Sequence, residues 1–313
     1  MNNTSIVGNP TPLKDGYAKV TGATQFLPDL KLSGMLHARF VTSVYPHAQV
    51  KAIHVDAALA APGICAVLTA HDLPHVEPRN RFSFLLARDR VLFVGQPVAV
   101  VLAKSEAEAL DGVDLVSIEY EPLPAAVTMD QAMGEDAPLV WPNGVPGTAE
   151  DAGAHGASAE ATDSGSAKPS NVAAQQLFQR GNVEKGLSAA DIVVERTFET
   201  QAVHQGYLET HGMIAQANRV NGGVTIWTST QGIFEVRERV AKLLDIPESD
   251  VRVVGTPIGG GFGGKFPIYE GLMALIAQHI GNPVRLVLTR MEDMLCTNPM
   301  LPTRTQIRLG ARA

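Results

Sequence analysis

Residues 142–170 constrain the fold more than any other stretch, because their composition cannot contribute to a hydrophobic core. The stretch consists almost entirely of Gly, Ala, Ser, Pro, Thr and acidic residues, with one large aliphatic side chain. Such a segment buries too little apolar surface to offset the entropy that a chain loses on folding. We therefore predict a flexible linker or loop at 142–170, between one folded unit at 1–141 and a second at 171–313.

The overall composition is typical of a globular protein and excludes several functional classes. Hydrophobic residues make up 45% of the chain and charged residues 18%, which does not fit general disorder. The 25 basic and 32 acidic residues give a net charge of −7, which argues against nucleic acid as the main partner. Because no apolar run reaches the ~20 residues that cross a bilayer, and no signal-peptide pattern is present, we expect a cytoplasmic protein.

Strand and helix patterns follow one another in both units, which predicts an α+β or α/β fold rather than an all-β one. The apolar run at 98–103 indicates a strand buried on both faces. Ser105, with Glu108 three positions later, has the spacing of a helix capping box. The other predicted strands lie at 35–42, 50–55, 64–69, 116–120, 192–200, 224–228, 251–254 and 284–288. The predicted helices after the linker lie at 234–244 and 269–280.

The strongest local motif is the sequence GGGFGGK at 259–265, between a predicted strand and a predicted helix. Five glycines within six positions leave the backbone uncrowded, so that its N–H groups can approach an anion or an oxo group. The motif fits the G-x-G-x-x-G pattern of dinucleotide-binding loops and most of the P-loop pattern. Phe266 replaces the Ser or Thr that a P-loop requires, and the next strand ends in Thr289-Arg290 rather than in an acid, which weakens both interpretations. A third interpretation of the motif is a tight turn that binds no ligand.

Other candidate residues give weaker signals. Gln231 follows the strand at 224–228 and offers an amide near a helix N-terminus, although an ordinary capping turn accounts for the same pattern. His204 and His211 fit no zinc-binding spacing, so structural roles are favoured for them. Cys296 is interpreted as a buried thiol rather than a nucleophile, and the two cysteines of the chain cannot hold an iron–sulfur cluster by themselves.

Seven segments of the sequence occur in an order that is typical of one enzyme family. They lie at 7–30, 86–103, 118–127, 207–211, 229–231, 259–265 and 289–295. Together they resemble the molybdenum-cofactor subunit of the xanthine dehydrogenase, aldehyde oxidase and carbon monoxide dehydrogenase group. This resemblance implies an α/β hammerhead domain at 1–141, followed by the first part of a molybdenum-cofactor-binding domain at 171–313.

The resemblance also implies a site. Gln231 corresponds to the glutamine that hydrogen-bonds an oxygen ligand of molybdenum in the family, and the backbone N–H groups of Phe262 and Gly263 face the cofactor, with Gly261 beside them. Phe266 is expected in the substrate pocket. The cofactor would be molybdopterin, or its cytosine dinucleotide form, whose dithiolene holds the metal. Gln231 and Phe262 then approach the metal through its oxygen ligands.

The reaction that the resemblance implies is hydroxylation of an electron-poor carbon with water as the oxygen donor, with electrons passed to 2Fe–2S and FAD partner subunits. Phe266 stands where purine hydroxylases carry Glu, and residues 298–300 stand where they carry Arg, which favours an aldehyde or N-heteroaromatic substrate over xanthine. The general base of the family, a Glu in a G-x-G-E segment, is not found within the 313 residues. We therefore assign no catalytic residue and expect a further molybdenum-cofactor chain as a partner.

Two other functions remain open from the sequence. One is a subunit of the 4-hydroxybenzoyl-CoA reductase kind, which shares the opening segment and the motif at 229–231. The other is a truncated, non-catalytic assembly module that binds partner subunits without holding the cofactor. Substrate profiling separates the first from a hydroxylase, and cofactor content separates the second.

Overall fold

The computed structural model describes residues 8, 10–76, 85–141, 170–172 and 177–313, so the predicted linker lies outside the described residues except for its last one. The strands are β1 (Leu36–Thr42), β2 (Ala48–His54), β3 (Ile64–Thr69), β4 (Arg90–Val91), β5 (Pro97–Ala103), β6 (Ser117–Pro122), β7 (Ile192–Thr200), β8 (Gly212–Ala217), β9 (Val224–Thr228), β10 (Val251–Gly255), β11 (Val284–Val287) and β12 (Thr303–Ala311). The helices are α1 (Gly16–Val20), α2 (Asp56–Leu59), α3 (Glu106–Asp114), α4 (Met129–Met133), α5 (Val183–Ser188), α6 (Ile233–Leu244), α7 (Glu270–Ile280) and α8 (Arg290–Cys296). Among these described helices, none has the length and apolar character to cross a membrane.

Seven strands from both halves of the chain form one mixed sheet, in the order β10-β9-β8-β11-β1-β5-β3. At its centre, β1 pairs in parallel with β11, where Leu36 lies opposite Val284, and antiparallel with β5. Strands β1, β3 and β5 precede the predicted linker, whereas β8 to β11 follow it. The segments 1–141 and 171–313 are therefore joined by backbone hydrogen bonds in a shared sheet.

Strand β5 is buried along its whole length, as its apolar sequence predicted. Val100 and Leu102 contribute to the main core, which helices α6 and α7 cover on that face of the sheet. Val101 and Ala99 point to a smaller cluster on the other face, which includes Ala58 of helix α2. Because apolar side chains on both faces are removed from water, the hydrophobic effect stabilises this strand more than one that is exposed on one face.

Strands β7 and β12 form a separate antiparallel ribbon that is exposed along its whole length. The register puts apolar side chains on one face of the ribbon, and their exposed fractions range from 37% to 66%: Ile192, Val194, Phe198, Ile307 and Leu309. The other face carries two cross-strand ion pairs, Arg304–Glu199 and Arg308–Glu195. The ribbon is thus amphipathic, and its apolar face is open in this chain. A third sheet, in the order β4-β2-β6, belongs to the first half.

Candidate functional site

The glycine-rich loop 259–265 follows strand β10, and its inner side lies directly on the segment 205–209. A Cβ atom added to Gly259 would lie 2.5 Å from Cβ of Glu209, and one added to Gly264 would lie 2.9 Å from Cε1 of the buried Tyr207 ring. Real Cβ atoms do not approach other heavy atoms so closely. These glycines are therefore required by contact with the protein itself, which the sequence pattern could not distinguish from contact with a ligand.

The outer side of the loop is open. Phe262 and Gly263 have φ angles of 48° and 84°, in the left-handed region that favours glycine. The Phe262 side chain is 78% exposed, and a Cβ atom on Gly263 would have no neighbour within 4 Å. Within the described part of the chain, the backbone N–H groups of Gly261 and Phe262 have no hydrogen-bond acceptor. The turn thus presents unused peptide donors to its surroundings.

Gln231 is held against this loop by several hydrogen bonds. Its Oε1 accepts from the backbone N–H of Gly263 at 3.1 Å and from that of Lys265 at 3.3 Å. Its own backbone N–H donates to the carbonyl of Lys265 at 2.8 Å. A Cβ on Gly261 would come within 2.5 Å of this Oε1, so a larger residue there would displace the Gln231 amide from its present position. With Oε1 engaged, the free donors of the amide are on Nε2.

The structure therefore brings together Gln231, Gly261, Phe262 and Gly263, which the resemblance placed in one site. It differs from the expectation in one detail, because the Gly263 N–H is used internally by Gln231 rather than left free for a cofactor. Phe266 is half-buried, and its ring lies near Gly232, the residue that follows Gln231. The dinucleotide interpretation loses its structural context, because β10 and β11 are separated in the sheet by β9 and β8.

Beneath the loop lies a buried ion pair that the sequence analysis did not identify. Lys265 has a fully buried side chain, and its Nζ lies 2.7 Å from Oε2 of Glu209. The same oxygen accepts the backbone N–H of Gly259 at 2.7 Å. Burial lowers the pKa of Lys265, and the hydrogen bond to Glu209 opposes that shift. The available signal was Lys265 at the end of the glycine motif, but its partner lies 56 residues away in sequence.

A second buried carboxylate ties helix α8 to the segment before strand β8. Asp293 accepts hydrogen bonds from Nδ1 of His211 at 2.8 Å and from the His211 backbone N–H at 3.1 Å, and Nε2 of His204 lies 3.5 Å from it. Burial alone would raise the pKa of Asp293, but the hydrogen bonds to His211 outweigh it and lower the pKa. Both histidines thus make buried contacts within the protein, in agreement with the structural role that their spacing indicated.

Cys296, at the end of helix α8, is buried as predicted. Its Sγ lies 2.7 Å from the carbonyl oxygen of Glu292, and burial raises the pKa of the thiol to about 12. A thiol with such a pKa is almost entirely protonated near neutral pH and is a poor nucleophile.

The hydrogen-bond donors of the site fit a metal that is held by an organic cofactor rather than by protein side chains. The residues that the structure describes contain no cluster of three or more His, Cys, Asp or Glu side chains that could hold a metal ion. The loop and its neighbour Gln231 offer neutral N–H donors instead, from Nε2 of the Gln231 amide and from the peptide of Phe262, for which the described residues contain no acceptor. Such donors suit oxygen ligands on a cofactor-held metal. Two cavities of about 310 and 280 Å³ lie elsewhere, within residues 46–141.

Comparisons with known proteins identify the family of the chain. The family model for the molybdopterin cofactor-binding domain matches residues 165–313, and the model for the aldehyde oxidase and xanthine dehydrogenase a/b hammerhead domain matches residues 21–124. A probable xanthine dehydrogenase subunit of Bacillus subtilis is 31% identical over 98% of this chain and 38% of its own length. The "Nicotinate dehydrogenase large molybdopterin subunit" of Eubacterium barkeri is 28% identical over 98% of this chain and 67% of its own length.

Among solved structures, quinoline 2-oxidoreductase from Pseudomonas putida 86 is similar with a TM-score of 0.81 and 27% identity, over 97% of this chain and 37% of that chain. The chain therefore belongs to the molybdopterin-binding family of xanthine dehydrogenase and aldehyde oxidase subunits, which confirms the resemblance and the α+β hammerhead-plus-cofactor-domain fold. It spans 38% of the Bacillus relative's length, so the functions of whole relatives do not transfer directly.

Proposed function

We propose that this chain is part of a molybdenum-dependent hydroxylase or dehydrogenase that oxidises an aldehyde or an N-heteroaromatic compound. Water supplies the oxygen atom, and the electrons pass to 2Fe–2S and FAD partner subunits. The observation that carries the proposal is that Gln231 is hydrogen-bonded to the loop next to Phe262. Among the described residues, neither Nε2 of Gln231 nor the N–H of Phe262 has an acceptor. Family membership supports the cofactor class.

The residues of this chain would hold molybdopterin, or its cytosine dinucleotide form, by hydrogen bonds. When bound, the cofactor supplies the two-electron redox chemistry of molybdenum. Nε2 of Gln231 would donate to an oxygen ligand of the metal, and the Phe262 N–H would donate to a second acceptor on the same group. Because two backbone N–H groups fix Oε1 of Gln231, the amide keeps its donor side toward the open face.

Phe266 and the names of two relatives support the proposed substrate class. A half-buried aromatic ring next to Gly232 offers an apolar contact rather than the charged group expected for a purine. Two similar proteins carry the names of nicotinate and quinoline enzymes, whose substrates are electron-poor N-heteroaromatic rings. The name of another relative refers to xanthine, so the substrate requires a direct test.

The partners are part of the same proposal. The relatives are named as subunits, one of them as a large molybdopterin subunit, which supports assembly with further chains. We propose a further molybdenum-cofactor chain that supplies the catalytic base, together with the 2Fe–2S and FAD subunits. The open apolar face of the β7–β12 ribbon is compatible with such a contact, because large exposed apolar patches commonly mark protein interfaces. The cytoplasmic location stays a prediction.

The assembled complex provides the test. We expect molybdenum by elemental analysis, turnover of quinoline-type rings or aldehydes, and incorporation of ¹⁸O from labelled water into the product. Robust xanthine turnover would contradict the substrate class. Reduction of an aromatic thioester without oxygen incorporation would favour the reductase alternative, and a complete complex without molybdenum or pterin would favour the non-catalytic module.

A further inference from the structure

Glu209 holds the glycine loop at both of its ends. Its Oε2 accepts the backbone N–H of Gly259, at the start of the loop, and lies 2.7 Å from Nζ of Lys265, at the end. Its own backbone N–H donates to the carbonyl of Gly259 at 3.1 Å. One side chain thus fixes the distance between the two points from which the turn at Phe262 projects.

Lys265 links that clamp to Gln231 through its main chain. The Lys265 N–H donates to Oε1 of Gln231, and the Lys265 carbonyl accepts the Gln231 backbone N–H and, at 3.3 Å, the Thr230 hydroxyl. The orientation of the amide therefore depends on where the Lys265 backbone lies. The Nζ–Oε2 contact with Glu209 in turn ties the Lys265 side chain to the segment 205–209.

Burying the Glu209–Lys265 ion pair carries a large desolvation penalty. Lys265 is fully buried and Glu209 nearly so, and moving two charges out of water costs more than an apolar pair of the same volume would. Nζ of Lys265 also lies 5.0 Å from the centroid of the Tyr207 ring, which adds a favourable cation–π contact. A charged pair retained at such a place gives a directional connection that apolar side chains do not provide.

We infer that Glu209 and Lys265 are positioning residues, which set the direction of the Gln231 amide and of the turn at 262–263. The meaning of this arrangement for a cofactor rests on the proposed function, whereas the positioning itself is a property of this chain. Neither side chain is expected to touch the cofactor or the substrate. The competing explanation is that the pair only contributes to general stability.

The test is hydrogen exchange in the purified protein, followed by mass spectrometry of short peptides. In Glu209→Gln, the unpaired Lys265 charge should pull the loop toward water. We expect exchange at 259–265 and 229–233 to increase at least about tenfold, because removing one partner of a buried ion pair leaves an uncompensated charge that destabilises the local structure. Peptides from β5, β8 and α7 should change less than twofold. The matched control is Glu292→Gln, a largely buried carboxylate that contacts Arg39 and the Thr289 N–H and neither readout segment.

A second variant keeps the test decisive if the first does not fold. Glu209→Gln combined with Lys265→Met removes both charges, so exchange of the loop should rise above the parent but less than in the single variant. Unchanged exchange at 229–233 in either variant would overturn the inference, and so would an equal rise in all peptides. Because this readout needs neither cofactor nor activity, its failure is distinguishable from failure of the proposed function.

Discussion

The two sides of the glycine loop use the same type of residue for opposite purposes. On the inner side, Gly259 and Gly264 are required because other side chains lie where a Cβ would be. On the outer side, Gly263 is required only by its backbone angle, and space around it is open. The difference teaches that most of the motif serves contact within the protein, while a short turn at 262–263 stays open to its surroundings.

The largest effect on stability is expected for Gly259→Ala. The new methyl group would overlap Cβ of Glu209, a backbone-near atom that cannot move aside easily. We expect the free energy of unfolding to fall by about 3 kcal/mol, measured by urea denaturation with an unchanged slope. Gly186→Ala in helix α5 is the control, since its Cβ meets nothing within 4 Å and should be neutral or slightly stabilising. Equal losses of unfolding free energy in the two variants would contradict the close contact between Gly259 and Glu209.

A somewhat smaller effect on stability is expected for Asp293→Asn. Asp293 accepts hydrogen bonds from His211 and Tyr207, in or next to the segment 205–209 that packs against the inner side of the loop. We expect a loss of about 2 kcal/mol at pH 7, since a hydrogen bond to a charged group is replaced by a neutral one. The pKa of Asp293 is lowered in the folded protein from its ordinary value of 3.8. Its contribution is therefore complete above pH 3.8 and is lost as the pH falls through the folded pKa.

The check on Asp293 is a series of denaturation curves at several pH values. The difference between the parent and Asp293→Asn should narrow below pH 3.8. The exposed Asp111, replaced by Asn, is the control and should show no comparable change. A difference that stays constant or grows on acidification would show that the carboxylate is not stabilised in its charged form.

On the outer side, Gly263→Ala should cost only about 1 kcal/mol. The methyl group meets no neighbour, so the cost comes from placing alanine in the left-handed region. The same denaturation assay compares it with Gly259→Ala. A loss as large as that of the inner variant would mean that the outer side is also closely surrounded.

The smallest effect is expected for Phe262→Ala. The side chain is 78% exposed, and its replacement should change the free energy of unfolding by less than about 0.5 kcal/mol. Thermal denaturation measures this change. A marked loss of stability would show that the ring covers part of the core and is not free to face a ligand.

The local elements were largely predictable from the sequence. Strands β3, β7 and β9 have the predicted ends, and the Ser105 hydroxyl accepts the Glu108 N–H as its capping-box spacing indicated. Strand β8 was missed because its short sequence GMIAQA lacks a clear alternation. Helix α8 was missed although Thr289 and Glu292 form a capping box that could have been recognised.

Long-range pairing could not be predicted from local pattern. The contact of β1 with β11 joins residues about 248 positions apart, and no periodicity of either strand specifies its partner. The same limit applies to Glu209 and Lys265. The family resemblance supplied the members of the site, but it did not supply the ion pair that holds them or the use of the Gly263 N–H by Gln231.

The most direct test of the site is the exchange of the Phe262 amide in the assembled complex, purified with molybdopterin and from cells that cannot make it. Within the described residues this N–H has no acceptor, so it should exchange freely without the cofactor. We predict that loading slows exchange in the peptide that contains Phe262 by at least about tenfold, as a new hydrogen bond would. Identical exchange at 259–265 in the two preparations would contradict the assignment of the open side of the loop to the cofactor.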